Sequence, residues 1–132
     1  MGHKITLGSR PKTFSRVVTV PLHEGVEGQL EVTFRYRTRT EFGKLVDDMA
    51  AAADVTPPKS DADEDVVFSL RAALEASRDR NADYLLQVLD GWGLPEPFDR
   101  PHVQQLCDEL PGAALALIEA YRQACAEGRL GN

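Results

Sequence analysis

Residues 30–46, LEVTFRYRTRTEFGKLV, decide the fold, because the spacing of apolar side chains changes within them. Leu30, Val32, Phe34 and Tyr36 alternate with Glu31, Thr33, Arg35 and Arg37, the period of two that a half-buried β-strand imposes. From Phe42 onward the apolar positions are Phe42, Leu45, Val46, Met49 and Ala53, spaced as on one face of an amphipathic helix. Between the two lies Thr38-Arg39-Thr40-Glu41, a Thr-x-x-Glu box in which each side chain can satisfy an orphan amide at a helix start. The stretch therefore predicts a strand that runs directly into a helix.

On the N-terminal side, Phe14–Val20 is rich in β-branched residues and ends at Pro21, which supplies a partner strand and makes a hairpin. The eight residues Pro21–Gly28 are longer than the preferred tight turns and predict a protruding or bulged loop. Residues 1–13 read as a flexible arm and residues 54–60, centred on Pro57-Pro58, as a linker. Ser60-x-x-Asp63 predicts the start of a long second helix, with Val67, Leu70, Leu74, Leu85, Val88, Leu89 and Trp92 on one face and a kink near Arg78–Asn81. Gly91–Phe98 breaks that helix as a Gly/Pro-rich loop. Asp99 before Pro101 opens a third helix, Pro111-Gly112 ends it, and a fourth follows from Ala113 to a stop at Gly128. The expectation is an α+β chain, an N-terminal antiparallel β-hairpin followed by about four α-helices packed as a small bundle. Residues 1–132 form a single domain in this reading, divided into the arm, the hairpin and first helix (14–53), the linker, and a helical part (61–128).

A chain of 132 residues that is 42% hydrophobic and 27% charged is large enough to bury about two thirds of its unfolded surface without disulfides. No apolar run approaches the ~18 residues of a membrane helix and residues 1–20 lack a signal-peptide core, so the expected setting is cytoplasmic with no membrane partner. The net charge of −6 conceals an asymmetry. Residues 1–44 carry eight Lys/Arg against four Asp/Glu, and residues 45–132 carry seven against seventeen. That polarity permits self-association, although salt screening limits it.

Catalytic patterns fail at the residues that would do the chemistry. Gly43-Lys44 lacks the glycine and the Ser/Thr of a phosphate-binding loop, and Asp61-x-Asp63-x-Asp65 has Val66 and Ala72 where a calcium loop needs Gly and Glu. His102 and Cys107 lie on different sides of a helix, and Cys107 and Cys125 read as buried thiols. No catalytic residue, metal ligand or cofactor is expected, and the chain is not expected to be an enzyme. Arg35, Arg37 and Arg39 recur at period two and read as the solvated outer face of the second strand, with Arg16 opposite them. Phe34 and Tyr36 point the other way, so no nucleic-acid surface is expected. Trp92, Leu94 and Phe98 are the candidate partner-binding residues, three large apolar side chains in one loop. The alternative for Trp92 is a plug in the core, since it is in phase with Leu85 and Leu89.

Taken in order, these pieces resemble the tail assembly chaperones of long-tailed bacteriophages and prophages. The resemblance covers residues 14–132. It is carried by Pro21, Gly25 and Gly28, then Phe34-x-Tyr36-Arg37-x-Arg39-Thr40-Glu41, Leu85-x-x-Val88-Leu89-Asp90-Gly91-Trp92, Phe98-Asp99, and Pro111-Gly112 leading to Tyr121 and the terminal Gly131-Asn132. Gly93-Leu94-Pro95 departs from it, where a more acidic turn is expected. The resemblance implies a non-catalytic role: binding the tape measure protein, with the major tail tube protein as a further partner, and keeping the tape measure soluble during tail tube polymerisation. It implies action in the bacterial host cytoplasm and absence from the mature virion. The alternative function is a structural tail-completion subunit or another phage or bacterial protein-interaction adaptor.

Overall fold

The alternation of residues 30–36 becomes one face of an antiparallel sheet in the computed structural model, which describes residues 7, 8, 10–53 and 69–128. Strand β1 (Thr13–Pro21) pairs with strand β2 (Glu27–Arg35) in a register that sets Phe14 opposite Phe34 and Val18 opposite Leu30. Val18, Val20, Leu30, Val32 and Phe34 are buried on that face, each contributing on the order of 1.5–3 kcal/mol by leaving water. Pairing continues to Pro21 and Glu27, so the connection is shorter than the expected eight residues. Its five residues close on themselves through Leu22 N–H to the Val26 carbonyl at 2.7 Å, around a 3-10 turn His23–Gly25. Glu24 and Gly25 both take positive φ there, 62° and 74°.

The Thr38–Glu41 box forms as read. The Thr38 N–H donates to Glu41 Oε1 at 2.9 Å and the Glu41 N–H donates to Thr38 Oγ1 at 3.2 Å, opening helix α1 (Arg39–Ala53). Arg10 also donates to Glu41 at 3.0 Å, and the Lys12 carbonyl accepts the Tyr36 N–H at 2.9 Å. Helix α2 (Leu70–Val88) is capped by Ser69, whose hydroxyl accepts the Ala72 N–H, and runs uninterrupted through the expected kink. Only the C-terminal half of its apolar stripe is covered. Ala82, Leu85 and Val88 are buried, whereas Leu70 and Leu74 are 61% and 59% exposed. The linker 54–60, the Ser60-x-x-Asp63 start, Val67 and the side chain of Ala53 lie outside the described residues.

A third strand, which the sequence reading lacks, follows α2 with no intervening loop. In β3 (Leu89–Trp92) the backbone turns extended at Leu89 and pairs with the free edge of β2. Val32 faces Trp92 and Phe34 faces Leu89, with a bulge between that leaves Asp90 as the extra residue. The sheet order is β1-β2-β3. Helix α3 (Arg100–Glu109) starts as expected, with Asp99 accepting the His102 N–H at 3.1 Å. Helix α4 begins two residues earlier than expected: Pro111 and Gly112 form its first turn (Pro111–Ala126), which suits a proline that has no N–H to lose. Gly128, at φ 71°, stands just beyond its end.

Helix α4 is the hub. Its Ala113, Ala114, Leu117 and Tyr121 are buried, and it packs against β1, α1, α2 and α3. Gly112 permits the approach to β1, since a Cβ there would sit 2.8 Å from Cγ of Pro21. Tyr121 is wholly buried among the rings of Phe14, Phe34 and Phe42, with centroids 6.4, 5.1 and 5.7 Å away.

Candidate partner-binding surfaces

The three residues singled out in the loop after α2 occupy the rim of the sheet. Trp92, the last residue of β3, shares the buried face of β2 through its pairing with Val32, and its ring meets Phe98 edge-on at 5.3 Å. Its indole N–H donates to the Glu96 carbonyl at 2.8 Å, which folds the loop back over the ring. Trp92, Leu94 and Phe98 are each half-buried and pack on the edge of the core. Trp92 and Leu94 line a cleft of about 210 Å³ with His102, Gln105, Leu106 and Leu110, while Phe98 lies behind the tryptophan.

A larger opening lies where the sequence reading placed core. Helices α1 and α2 both pack on α4 but hardly touch each other, and the space between them is a groove of about 850 Å³. Leu45, Val46 and Met49 of α1, Tyr84 of α2 and Ile118 of α4 supply its apolar lining. Val46 is 41% exposed, so among its described side chains the apolar stripe of α1 that should face the core buries fully only at Phe42. The Tyr84 hydroxyl is pushed up to about 12, chiefly by burial against this lining. The signal for the groove is present in the sequence: the stripe of α1 outruns what α4 alone covers, and Met49 is the kind of side chain that adapts to different partners. Tyr84 carries no such signal.

The arginines do not form one outer face. Arg16 pairs across to Val32, on the buried side of the sheet, and its guanidinium lies 5.2 Å above Phe14. Arg37 follows the end of β2 and turns inward, donating to Tyr121 Oη at 3.0 Å and to the Gln87 carbonyl at 3.2 Å. Arg35 stands 3.8 Å from Asp90, and Lys44 pairs with Asp48 at 2.8 Å. Arg35, Arg37 and Lys44, together with Arg10, border a polar hollow of about 540 Å³, each already engaged by a neighbour. Sequence reasoning missed the Arg37–Tyr121 link because it joins residues distant along the chain.

Chemical reactivity is low at the nucleophiles. Burial pushes the Cys107 thiol up to about 11 and raises Cys125 as well, so both are protonated at neutral pH. Among the described residues no group of three or more His, Cys, Asp or Glu is placed to hold a metal ion. Nor is any described helix long and apolar enough to cross a membrane.

Comparison with known proteins adds one finding. The family model described as phage tail assembly chaperone matches residues 1–132, the whole chain. No curated protein and no solved structure matched.

Proposed function

Since the chain belongs to the phage tail assembly chaperone family, we propose that it binds the tape measure protein of its phage and keeps it soluble while tail tube subunits polymerise around it. The observation that carries this reading is the groove between α1 and α2, an apolar slot that no described residue fills. A holding chaperone must shield apolar helical surface reversibly, and an open groove does so without a chemical step. The role is non-catalytic and needs no cofactor, in keeping with the family and with the protonated thiols. It is exercised in the host cytoplasm and ends before the particle is complete. The cleft at Trp92 and Leu94, backed by Phe98, is the second contact in this proposal.

The test is co-expression of the tape measure protein with and without this chain. Recovery of soluble tape measure protein only in its presence supports the proposal, together with absence of the chain from purified particles. Equal solubility in both cases, or the chain as a stoichiometric part of finished tails, moves the assignment to a structural tail subunit.

A further inference from the structure

The segment Leu89–Trp92 carries the residues of two conformations. Leu85, Val88, Leu89 and Trp92 stand at i, i+3, i+4 and i+7, the spacing of one helix face. A helix stop follows: Gly93 where a left-handed residue closes the last turn, Leu94 where an apolar side chain packs back on Leu89, and Pro95 beyond. Helix α2 nevertheless ends at Val88, and Gly93 takes no positive φ. The sheet accepts the helical spacing only through the bulge at Asp90. Residues three apart on a regular strand point to opposite faces, and the extra residue returns Leu89 and Trp92 to one face, opposite Phe34 and Val32.

The hydrogen bonds are exchangeable as well. The Leu89 N–H already donates to the Leu85 carbonyl, so the helical ladder reaches the first residue of β3. One more turn would direct the amides of Asp90, Gly91 and Trp92 to the carbonyls of Leu86, Gln87 and Val88. In the strand form the Gln87 carbonyl is served instead by the Arg37 guanidinium at 3.2 Å. What the turn gives up is the pairing with β2, including the Gly93 N–H to the Glu31 carbonyl at 2.8 Å. The chain has the length to make the change. Arg100 sits beside Asp83 at 2.6 Å, so the return from Trp92 covers about 14 Å of helix axis, and residues 93–99 reach up to about 23 Å. Asp90 near the negative end of a helix and Gly91 inside it both weigh against the longer helix, which leaves the strand as the populated state.

We propose that Leu89–Trp92 is a conformational switch: it exchanges between strand β3 and a further turn of α2 that stops at Gly93, and the helical state uncovers the edge of β2 from Glu31 to Phe34. An uncovered edge offers unpaired amides and carbonyls to another strand, so the switch controls whether that edge is open. The inference rests on the segment itself and not on the function proposed above.

The experiment is nuclear magnetic resonance on the isotope-labelled full chain, with saturation-transfer and relaxation-dispersion measurements over residues 85–94. The expected result is a minor state, below about 10%, in which the Cα and carbonyl carbons of Leu89–Trp92 take helical shifts while those of β1 are unchanged. A side chain has open space at Gly91, so two variants set the balance. Ala is the better helix former and Val the better strand former, and the minor population should be roughly fivefold higher in Gly91→Ala than in Gly91→Val. A flat dispersion profile across 89–92 in Gly91→Ala overturns the switch. So does a minor state with random-coil shifts there, which would be fraying of an edge strand, and so do equal populations in the two variants. If either variant fails to fold, the carbon shifts of the parent chain decide the matter: helical shifts in its minor state support the switch, and random-coil shifts or no minor state overturn it.

Discussion

The hydroxyl of Tyr121 donates to the carbonyl oxygen of Arg35 at 2.7 Å, and this one contact joins the last helix to the end of the second strand. The same hydroxyl accepts from Arg37, which also holds the Gln87 carbonyl near the end of α2. Tyr121 therefore ties together the sheet, α2 and α4 from a position with no solvent exposure. Tyr121→Phe keeps the ring among Phe14, Phe34 and Phe42 but orphans a carbonyl and one guanidinium contact. The expected loss is about 1–3 kcal/mol, read as a lower urea midpoint with an unchanged slope. A midpoint equal to that of the parent would show that water replaces the hydroxyl at no cost.

Two glycines should respond to alanine in opposite directions. Gly43 lies inside α1 with nothing near its added Cβ, so Gly43→Ala should stabilise by about 0.5–1 kcal/mol through helix propensity. Gly112 lies in the first turn of α4, where the added carbon would meet the Pro21 ring at 2.8 Å. A proline ring at the end of a paired strand cannot swing away. Gly112→Ala should therefore destabilise by about 1–3 kcal/mol despite the better propensity. Thermal unfolding of the pair measures both signs, and a stabilised Gly112→Ala would disprove the close approach.

What was legible in the sequence is what short-range chemistry decides. The capping box is one case, because Thr38 and Glu41 satisfy each other's amides whatever surrounds them. Asp99 at the start of α3 is another. The strand Leu89–Trp92 was not legible, since Leu85, Val88, Leu89 and Trp92 keep helical phase up to the point where the chain becomes extended. What turns it is the unpaired edge of β2, a partner far back along the chain. The groove was hidden for a related reason. An apolar stripe shows that a helix has something to cover, but only the packing of α1 and α2 on α4, and not on each other, shows that the described residues leave part of it uncovered. Arg37 looked like one more exposed arginine until the end of β2 turned it inward.

Acid should remove a definable share of the stability. The Thr38 N–H foremost, and then Arg10, hold the Glu41 carboxyl below its ordinary 4.5, and the His102 imidazole and amide hold Asp99 below its ordinary 3.8. A carboxyl depressed in the folded state contributes fully above its unfolded value, and the contribution is lost as pH falls through the folded value. The urea midpoint should thus fall between about pH 5 and about pH 2, and Glu41→Gln, which still accepts the amide but does not titrate, should flatten part of that fall. A Glu41→Gln profile parallel to that of the parent would remove Glu41 from the acid response.

Trp92 provides the means to separate the two proposed contacts. It is the only tryptophan, it is half-buried, and its cleft is bordered by the polar groups of His102 and Gln105. A partner that covers the cleft replaces those surroundings with apolar ones, so titration with tape measure protein should shift the emission to the blue and reduce quenching by acrylamide. Leu94→Asp, which places a charge at the mouth of the cleft without touching the indole N–H bond to Glu96, should abolish the shift and weaken binding roughly fivefold. Binding detected by anisotropy with Trp92 emission unchanged would mean that Trp92, Leu94 and Phe98 only close the edge of the core. The partner would then be held without them, and the groove between α1 and α2 would have to account for the whole affinity.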